Sequence, residues 1–484
     1  MTSRPNFNGG FLCAELRRAL GGQVPVTRGP GFLPGYVNGL RNLAWVRARS
    51  ADDVAATLAV CNRLGAVVAP CGGGTHMHLG RPFKVWHQRP PEMHNMVDVL
   101  LDMREFQGVI EYRPDDLTLA VAAGTRFRVI QQVLAEFGQM LALDPLVDAS
   151  STIGGIVATN RSGPRRAGSG TARDHIIGME VAGVDGSITK SGGMVVKNVT
   201  GYDLSKAHIG ALGTLGIITR VNLKTVPIPA VESTLVIPMP DPDSAVRLVG
   251  ALTNLPLIFS GLDLVQQQLL PDMNLDRSWV LAIRIPGTEA GVREKLVMVR
   301  EVVDLEAGDT PIELQGAEQK RFWRDADMLA RPKIPVEEWY ACPPARLKIL
   351  LARLSSDLAS KVPTICCMSG LPTQVASMLG TAKEVGDDLG LSTVSSARAF
   401  NGVVRVSVPS QSPVSLVAEF VQQLRTAIQK LEGSLIVESS HSVVKQSVGV
   451  WGMQPDSSAL KAMAALRTSF DPTRIINRGR YVVS

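Results

Sequence analysis

Residues 67–80, VVAPCGGGTHMHLG, set an apolar run against three consecutive glycines, a threonine and two histidines. Those residue types fit three things. Consecutive glycines tolerate positive φ and let the backbone come close to a ligand, so successive N–H groups form a concavity for an anion. His76 and His78 suit metal ligation when a third ligand is in reach. A plain tight turn is the third reading. The stretch is not a Walker loop, because no Lys-Ser/Thr follows the last glycine, and no GxGxxG opens a helix here. No HxH-plus-acid constellation accompanies the histidines, even with His87 and His94 nearby, so they read as loop histidines and no metal site is expected.

The loop has company. VAAGT (121–125) leads a strand through Gly124 and Thr125 to a helix N-terminus, which favours anions. STIGGIVATN (151–160) gives Ser151, Thr152, Gly154 and Gly155 before a short helical run, and GALGTLGIIT (210–219) carries Gly213 and Gly216 into a strand at Ile218. With Pro70, Cys71, Gly72, Gly73, Gly74 and Thr75 these make four turns within about 150 residues, a typical domain length. Such turns would wrap a long dinucleotide from several sides.

Other residues carry chemistry less directly. Arg161, Arg165, Arg166 and Arg173 lie within one short stretch. They read either as a solvated basic loop or as a site in which Arg165 or Arg166 faces phosphates or a carboxylate. Phe322, Trp323, Trp339 and Tyr340 are aromatic residues close enough in sequence to read as core packing. After residue 230 the only histidine is His441, a lone candidate base that reads more readily as structural.

The elements that must position these residues follow from periodicity. Ser50 caps a helix with Val54, Leu58, Cys61 and Leu64 on one face, stopped by Gly65, and a short buried strand then delivers the glycines. RPDD and VDGS are turn sequences between apolar runs and mark two hairpins. Thr125 is expected to cap a helix with Phe127, Ile130 and Leu134 on one face, and Asp203 another helix. The prolines of TVPIPAV mark a boundary near residue 230. Beyond it a β-α-β-β-α order occurs twice, the unit of ferredoxin-like sheets. The first 39 residues are rich in glycine and proline and read as an irregular lead-in.

Composition narrows the class. The 484 residues are 45% apolar and 19% charged, as in an ordinary globular protein of two or three units. No run approaches about 18 apolar residues, so no transmembrane helix is expected, and the first residues have no apolar stretch of a secretory signal. None of the six cysteines is spaced CxxC, which argues against a zinc ribbon or an iron–sulfur cluster and points to a reduced, cytoplasmic setting. A net charge of +6 permits an anionic ligand, but no basic–aromatic stripe argues for nucleic acid.

PCGGGT, VAAGT, STIGG, SGPRRAGSGTARD (162–174), GGMVVKNVTGYDLSKAHIGALGTLGIIT (192–219) and FDPTRIINRGR (470–480) resemble the vanillyl-alcohol-oxidase (PCMH-type) FAD-linked oxidoreductases. More narrowly, they resemble the E-type FAD-binding subunit of bacterial glycolate oxidase. The resemblance implies an α+β fold: a two-subdomain FAD-binding domain over 40–230, then an antiparallel-sheet cap with ferredoxin-like halves over 231–484, its C-terminal segment returning to the FAD domain. It implies non-covalent FAD, with Thr75 where a linking histidine stands in related flavoproteins. Pro70–Thr75 would be the pyrophosphate loop, Ser151–Gly155 a second contact, and Gly213–Ile218 the stretch near adenine and ring; Lys197 and Asn198 would lie near the flavin. It implies oxidation of a small 2-hydroxy acid beside a paralogous catalytic flavoprotein and an iron–sulfur subunit, which could hold the complex at the inner membrane. The alternative is a stand-alone FAD-dependent 2-hydroxy-acid or alcohol dehydrogenase. Arg478 stands where the family usually has proline, and WHQRPPEMHNM (86–96) reads as an insertion.

Overall fold

The computed structural model describes residues 9–31, 40–82, 97–145, 149–195, 201–273, 275–306, 310–327, 329, 362–452 and 457–482. His87, His94, Lys197, Asn198, Trp339, Tyr340 and the 86–96 insertion lie outside these residues.

The N-terminal sheet has four strands, β1 (Val26–Gly31), β2 (Leu40–Arg47), β3 (Val68–Cys71) and β4 (Val99–Asp102), in the order β1-β2-β4-β3. β3 and β4 are parallel and reached through the helix Ala51–Leu64. Ser50 Oγ accepts from Asp53 N–H at 3.1 Å while Asp53 accepts from Ser50 N–H, and Gly65 closes the helix in the left-handed region. The expected irregular lead-in is instead structured. Gly9–Ala19 is a helix whose Leu12, Cys13 and Leu16 are buried against Val46, Val54 and Leu58, and β1 pairs with β2. The spacing of those three apolar residues outweighs the surrounding glycines.

A second, antiparallel sheet holds β5 (Val109–Arg113), β6 (Thr118–Ala122), β8 (Ile176–Ala182), β9 (Ile188–Gly192) and β10 (Ile217–Lys224), ordered β5-β6-β10-β8-β9. A small ribbon pairs β7 (Gln139–Met140) with β11 (Val226–Pro227). Both expected hairpins are present. Asp203 caps nothing: the short helix is Ser205–His208, and the carboxylate lies 3.8 Å from Lys206.

The cap is one sheet of eight strands. β12 (Val231–Met239), β13 (Gly261–Gln266), β14 (Trp279–Gly287) and β15 (Ile312–Gln315) form one β-α-β-β-α-β half with helices Pro242–Thr253 and Glu289–Glu306. β16 (Thr364–Ser369), β17 (Val394–Arg398), β18 (Val403–Val408) and β19 (Ser434–Ser439) form the other with Val375–Asp388 and Val414–Lys430. The order β15-β12-β14-β13-β17-β18-β16-β19 gives each half the ferredoxin-like arrangement, and the halves fuse where Asp263 on β13 faces Arg398 on β17. Strand alternation sorts the two faces. Leu235, Ile283, Leu264, Ala397, Val404, Met368 and Val437 pack under the helices. The intervening Glu232, Arg284, Asp263, Arg398, Arg405, Cys367 and Glu438 occupy the opposite face.

The C-terminus returns to the start of the fold. Ile475 and Ile476 are buried in the N-terminal core, and Val68 bonds Ile475 O and Asn477 N–H at 2.8 and 2.9 Å, beside β3. Asp471, fully buried, accepts from Ile475 and Ile476 N–H and fixes that turn.

Candidate functional site

The chain leaves β3 at Cys71 and enters the glycine loop. A Cβ on Gly72 would stand 2.1 Å from Thr152 Oγ1, and one on Gly73 1.8 Å from Ser150 O, so the loop is pressed directly against residues 150–152. Gly74, not Gly73, takes positive φ (69°). Thr75 then turns inward: its hydroxyl bonds Ser151 Oγ and His76 Nδ1, each at 3.0 Å. Thr152 caps the helix Ile153–Thr159 by accepting from Gly155 N–H.

These loops surround one cleft of about 790 Å³, counting its open mouth, within the range of small-molecule and cofactor sites. Pro70, Cys71, Gly72, Gly73, Gly74, Thr75, Thr152, Gly154, Gly155, Gly213, Gly216 and Ile218, all singled out in the sequence, line it. So do His76, Met103, Asn477 and Arg480, which sequence reasoning did not assign to it. The C-terminal pair was legible only as part of a motif. Asn477 reaches across to Leu212 O at 2.7 Å, and buried Arg480 donates to the carbonyls of Met77 and Arg81 at 2.7 and 2.9 Å. Burial away from water pulls the Arg480 guanidinium down to about 9.

The cleft has unsatisfied polar groups pointing to a ligand. His76 Nε2 and Asn477 Oδ1 are buried without a hydrogen-bond partner among the described residues. The backbone N–H groups of Gly73, Thr75 and His76 have no acceptor there either. Burial, with Arg161 nearby, holds the His76 imidazole neutral, its pKa down at about 3. Such a set of donors suits the phosphates of a dinucleotide, and the apolar wall of Met103, Ile217 and Ile218 suits rings.

Five expected site residues are placed elsewhere. Ser151, 1% exposed, stands behind the glycine loop with its hydroxyl on Thr75 and does not line the cleft. Thr125 is not a helix cap: its hydroxyl, 1% exposed, donates to Ala122 O at 2.6 Å and accepts from Gly108 N–H at 2.9 Å. Gly124 is packed against the Met103 carbonyl. Both serve the turn rather than the cleft, because a buried hydroxyl takes the nearest backbone groups. Arg165 does not face the cleft either. Its guanidinium forks onto Glu232 at 2.6 and 2.7 Å and reaches Asp144 at 3.1 Å, tying the loops ahead of residue 230 to the cap. His441 caps the helix Ser442–Val448, its Nδ1 accepting from Val443 N–H, and lines a separate pocket with Thr364 and Pro409. A side chain committed to a cap in another pocket is not a base at this cleft.

The seam between cleft and cap holds a buried polar cluster. Arg161 and Arg405 clamp Glu438 from the two sides. Burial alone would raise that carboxyl, but the two guanidinium groups outweigh it and hold it well below the usual range. Lys445 donates to His78 O at 2.6 Å and Glu438 O at 2.8 Å, and burial lowers its ammonium to about 7. Phe322 and Trp323 are core residues, as expected, with Trp323 Nε1 on Thr234 at 2.8 Å. No group of three His, Cys, Asp or Glu placed to hold a metal occurs among the described residues.

Residues 43–192 match the family of the FAD binding domain. The chain is 25% identical over 442 residues to glycolate oxidase subunit GlcD of Bacillus subtilis, covering 90% of this chain and 88% of that one. It is 38% identical over 136 residues to glycolate oxidase subunit GlcE of Escherichia coli, covering 28% of this chain and 39% of that one. In fold it is similar to p-cresol methylhydroxylase, with a TM-score of 0.70, 17% identity and coverage of 99% and 98%. The cofactor is FAD, the fold is the PCMH type with an antiparallel cap, and the chain is an FAD-linked oxidoreductase. No helix among the described residues is long and apolar enough to cross a membrane.

Proposed function

We propose that this chain is the FAD-carrying subunit of a complex that oxidises a small 2-hydroxy acid such as glycolate, working beside a paralogous catalytic flavoprotein and an iron–sulfur subunit. The FAD domain takes in the 9–31 segment ahead of residues 40–230 and the C-terminal segment after Phe470, and the cap lies between. The backbone donors of Gly73, Thr75 and His76, with Asn477, hold the cofactor without a covalent link. When bound, FAD takes up two electrons and passes them on singly, which suits a relay. The protein's own part is to position it, and the neutral His76 offers a hydrogen bond without adding charge.

One observation carries the subunit reading: among the described residues, the ionisable cap groups at the seam beside the cleft are already committed. Glu438 is held by two arginines and Lys445 by carbonyls, while His441 caps a helix in another pocket. A dehydrogenase acting alone needs a base free to take the hydroxyl proton. The 38% identity to a glycolate oxidase E subunit supports the same reading. The test is to purify the chain alone and with its neighbouring flavoprotein and iron–sulfur subunits, then follow dye reduction by glycolate and D-lactate. The isolated chain should bind FAD and turn over poorly; rapid turnover by it, lost in His441→Ala, would make it a stand-alone dehydrogenase.

A further inference from the structure

The glycine loop is held at its two ends by different means. It enters from β3, a strand paired with β4, but from Thr75 to Arg81 it belongs to no strand or helix. Two turn bonds shape it there, Met77 N–H to Gly74 O at 3.3 Å and Leu79 N–H to His76 O at 3.1 Å. Its carbonyls need donors as well, because a buried carbonyl left without one is costly. Five in a row, from Met77 to Arg81, are taken by two buried cations.

The cations take them in turn. Arg480, from the tail, donates to the carbonyls of Met77, Leu79 and Arg81. Lys445, from the cap helix Ser442–Val448, donates to those of His78 and Gly80 at 2.6 and 3.4 Å, and to Glu438 O at 2.8 Å. The segment thus runs between tail and cap, with the tail so close that a Cβ on Gly80 would stand 2.6 Å from Arg480 O. An ammonium has three N–H donors and no acceptor. Here the three donors meet three carbonyls, two on the loop and one on β19.

We infer that Lys445 is a positioning residue for the cofactor, holding the far end of the glycine loop in the shape that binds FAD. It lines no part of the cleft itself, but Thr75, His76 and Met77, which do, lie within three residues of the His78 carbonyl it grips. His76 is tied to the same clamp, since its carbonyl accepts from Leu79 N–H between the two gripped carbonyls. Through Lys445 the cap takes part in cofactor binding, whichever chain of a complex performs the oxidation.

The charge on Lys445 gives this role a signature in pH. Burial lowers its ammonium to about 7. The groups facing it do not titrate there. Two arginines hold Glu438 on β19 well below the usual carboxylate range, and burial pushes Cys366 on β16 up to about 12. Burial also keeps His76 and His78 of the loop neutral, and the guanidinium groups of Arg161 and Arg405 are fixed charges. Loss of the Lys445 proton removes one N–H and turns a lone pair toward a carbonyl, so the grip weakens as pH rises.

The test is FAD release from the purified full chain, followed by flavin fluorescence after dilution into flavin-free buffer. Release by wild type should quicken from pH 6 to 8. Lys445→Met, which keeps the length without the charge, should release FAD about tenfold or more faster than wild type at pH 6 and with no such pH dependence. Lys445→Arg keeps a cationic donor with no proton to lose in this range. It should release FAD at a rate between the two, also without pH dependence, and it serves if the Met variant does not fold. A merely structural lysine would quicken release on replacement and leave the pH profile in place. A flat wild-type profile, wild-type release by either variant at pH 6, or an unchanged pH profile in the folded variants overturns the assignment.

Discussion

At Gly73 a single methyl group decides whether two loops can touch. The obstacle is the Ser150 carbonyl oxygen, 1.8 Å from where a Cβ would be, and not a demand for positive φ, which falls on Gly74. Gly73→Val should therefore separate the glycine loop from residues 150–152 and drop flavin content to about a tenth of wild type or less, with the circular dichroism of the fold retained. Full flavin occupancy in that variant would remove the loop from the cofactor site. The histidines make a second residue-scale prediction. His76 and His208 are buried with pKa values pulled down to about 3 and 4, while the unfolded chain binds these protons near 6.5. Above 6.5 neither state is protonated and their contribution is complete; as pH falls toward 4 only the unfolded state gains protons. Stability is then lost at about 1.4 kcal/mol per pH unit for each histidine. Asp263, pushed up to about 6 by burial, acts in the opposite direction over the same range, but His78 and His175, also lowered by burial, act with the first two histidines. Melting temperatures from pH 7 to 4 should fall in wild type and fall less steeply in His208→Asn; equal slopes would refute the assignment.

Among the elements, those whose residues satisfy one another locally were legible and those decided across the seam were not. The helix Ala51–Leu64 announces itself at both ends through Ser50, Asp53 and Gly65. The cap halves were legible as alternating runs separated by helical periods, since each strand buries one face against helices of its own half. The cleft's glycine turns were legible for the same reason, as composition concentrated at strand ends. Thr125 looked like a helix cap because sequence shows that a hydroxyl precedes a helix but not which carbonyl is nearest. Arg165 looked like a phosphate ligand because its partner, Glu232, lies 67 residues away on another domain. The same blindness hid Glu438, whose two arginines come from β18 and from the FAD side. Removing it tests the seam as an element of stability. Glu438→Leu removes the carboxylate between two buried arginines, Arg161 and Arg405, and should cost about 3–5 kcal/mol, read as a shift in urea midpoint. Replacing Glu438, Arg161 and Arg405 together by apolar residues should recover most of that loss, because the two like charges leave together with the carboxylate between them. A triple variant as unstable as the single one would mean the cluster holds the seam by more than mutual compensation.

At the scale of the whole molecule, the segment after Phe470 returns to the N-terminal core and the cleft, so flavin binding should depend on it. Ile475 and Ile476 are fully buried in the N-terminal core, and losing two such side chains removes several kcal/mol, at about 2–5 each when large aliphatics are truncated. The tail also extends β3, because Val68 has its N–H and carbonyl paired with Ile475 and Asn477. Beyond that, Asn477 and Arg480 form one wall of the cleft, with Arg480 holding the 77–81 segment through its carbonyls. Truncation after Phe470 should therefore leave the cap folded, since its helices and sheet share a core that no tail residue enters, while the N-terminal sheet loosens and flavin is lost. Limited proteolysis should show a protected fragment from about residue 230 onward and cleavage within the first hundred residues. Arg480→Met separates the two roles of the tail: it keeps the isoleucines and strand bonds, so the protein should melt close to wild type yet bind FAD at least about tenfold more weakly, because the cleft loses the group that orders its rim. If Arg480→Met holds flavin as tightly as wild type, the tail is a structural clasp alone, and the cleft is completed without it.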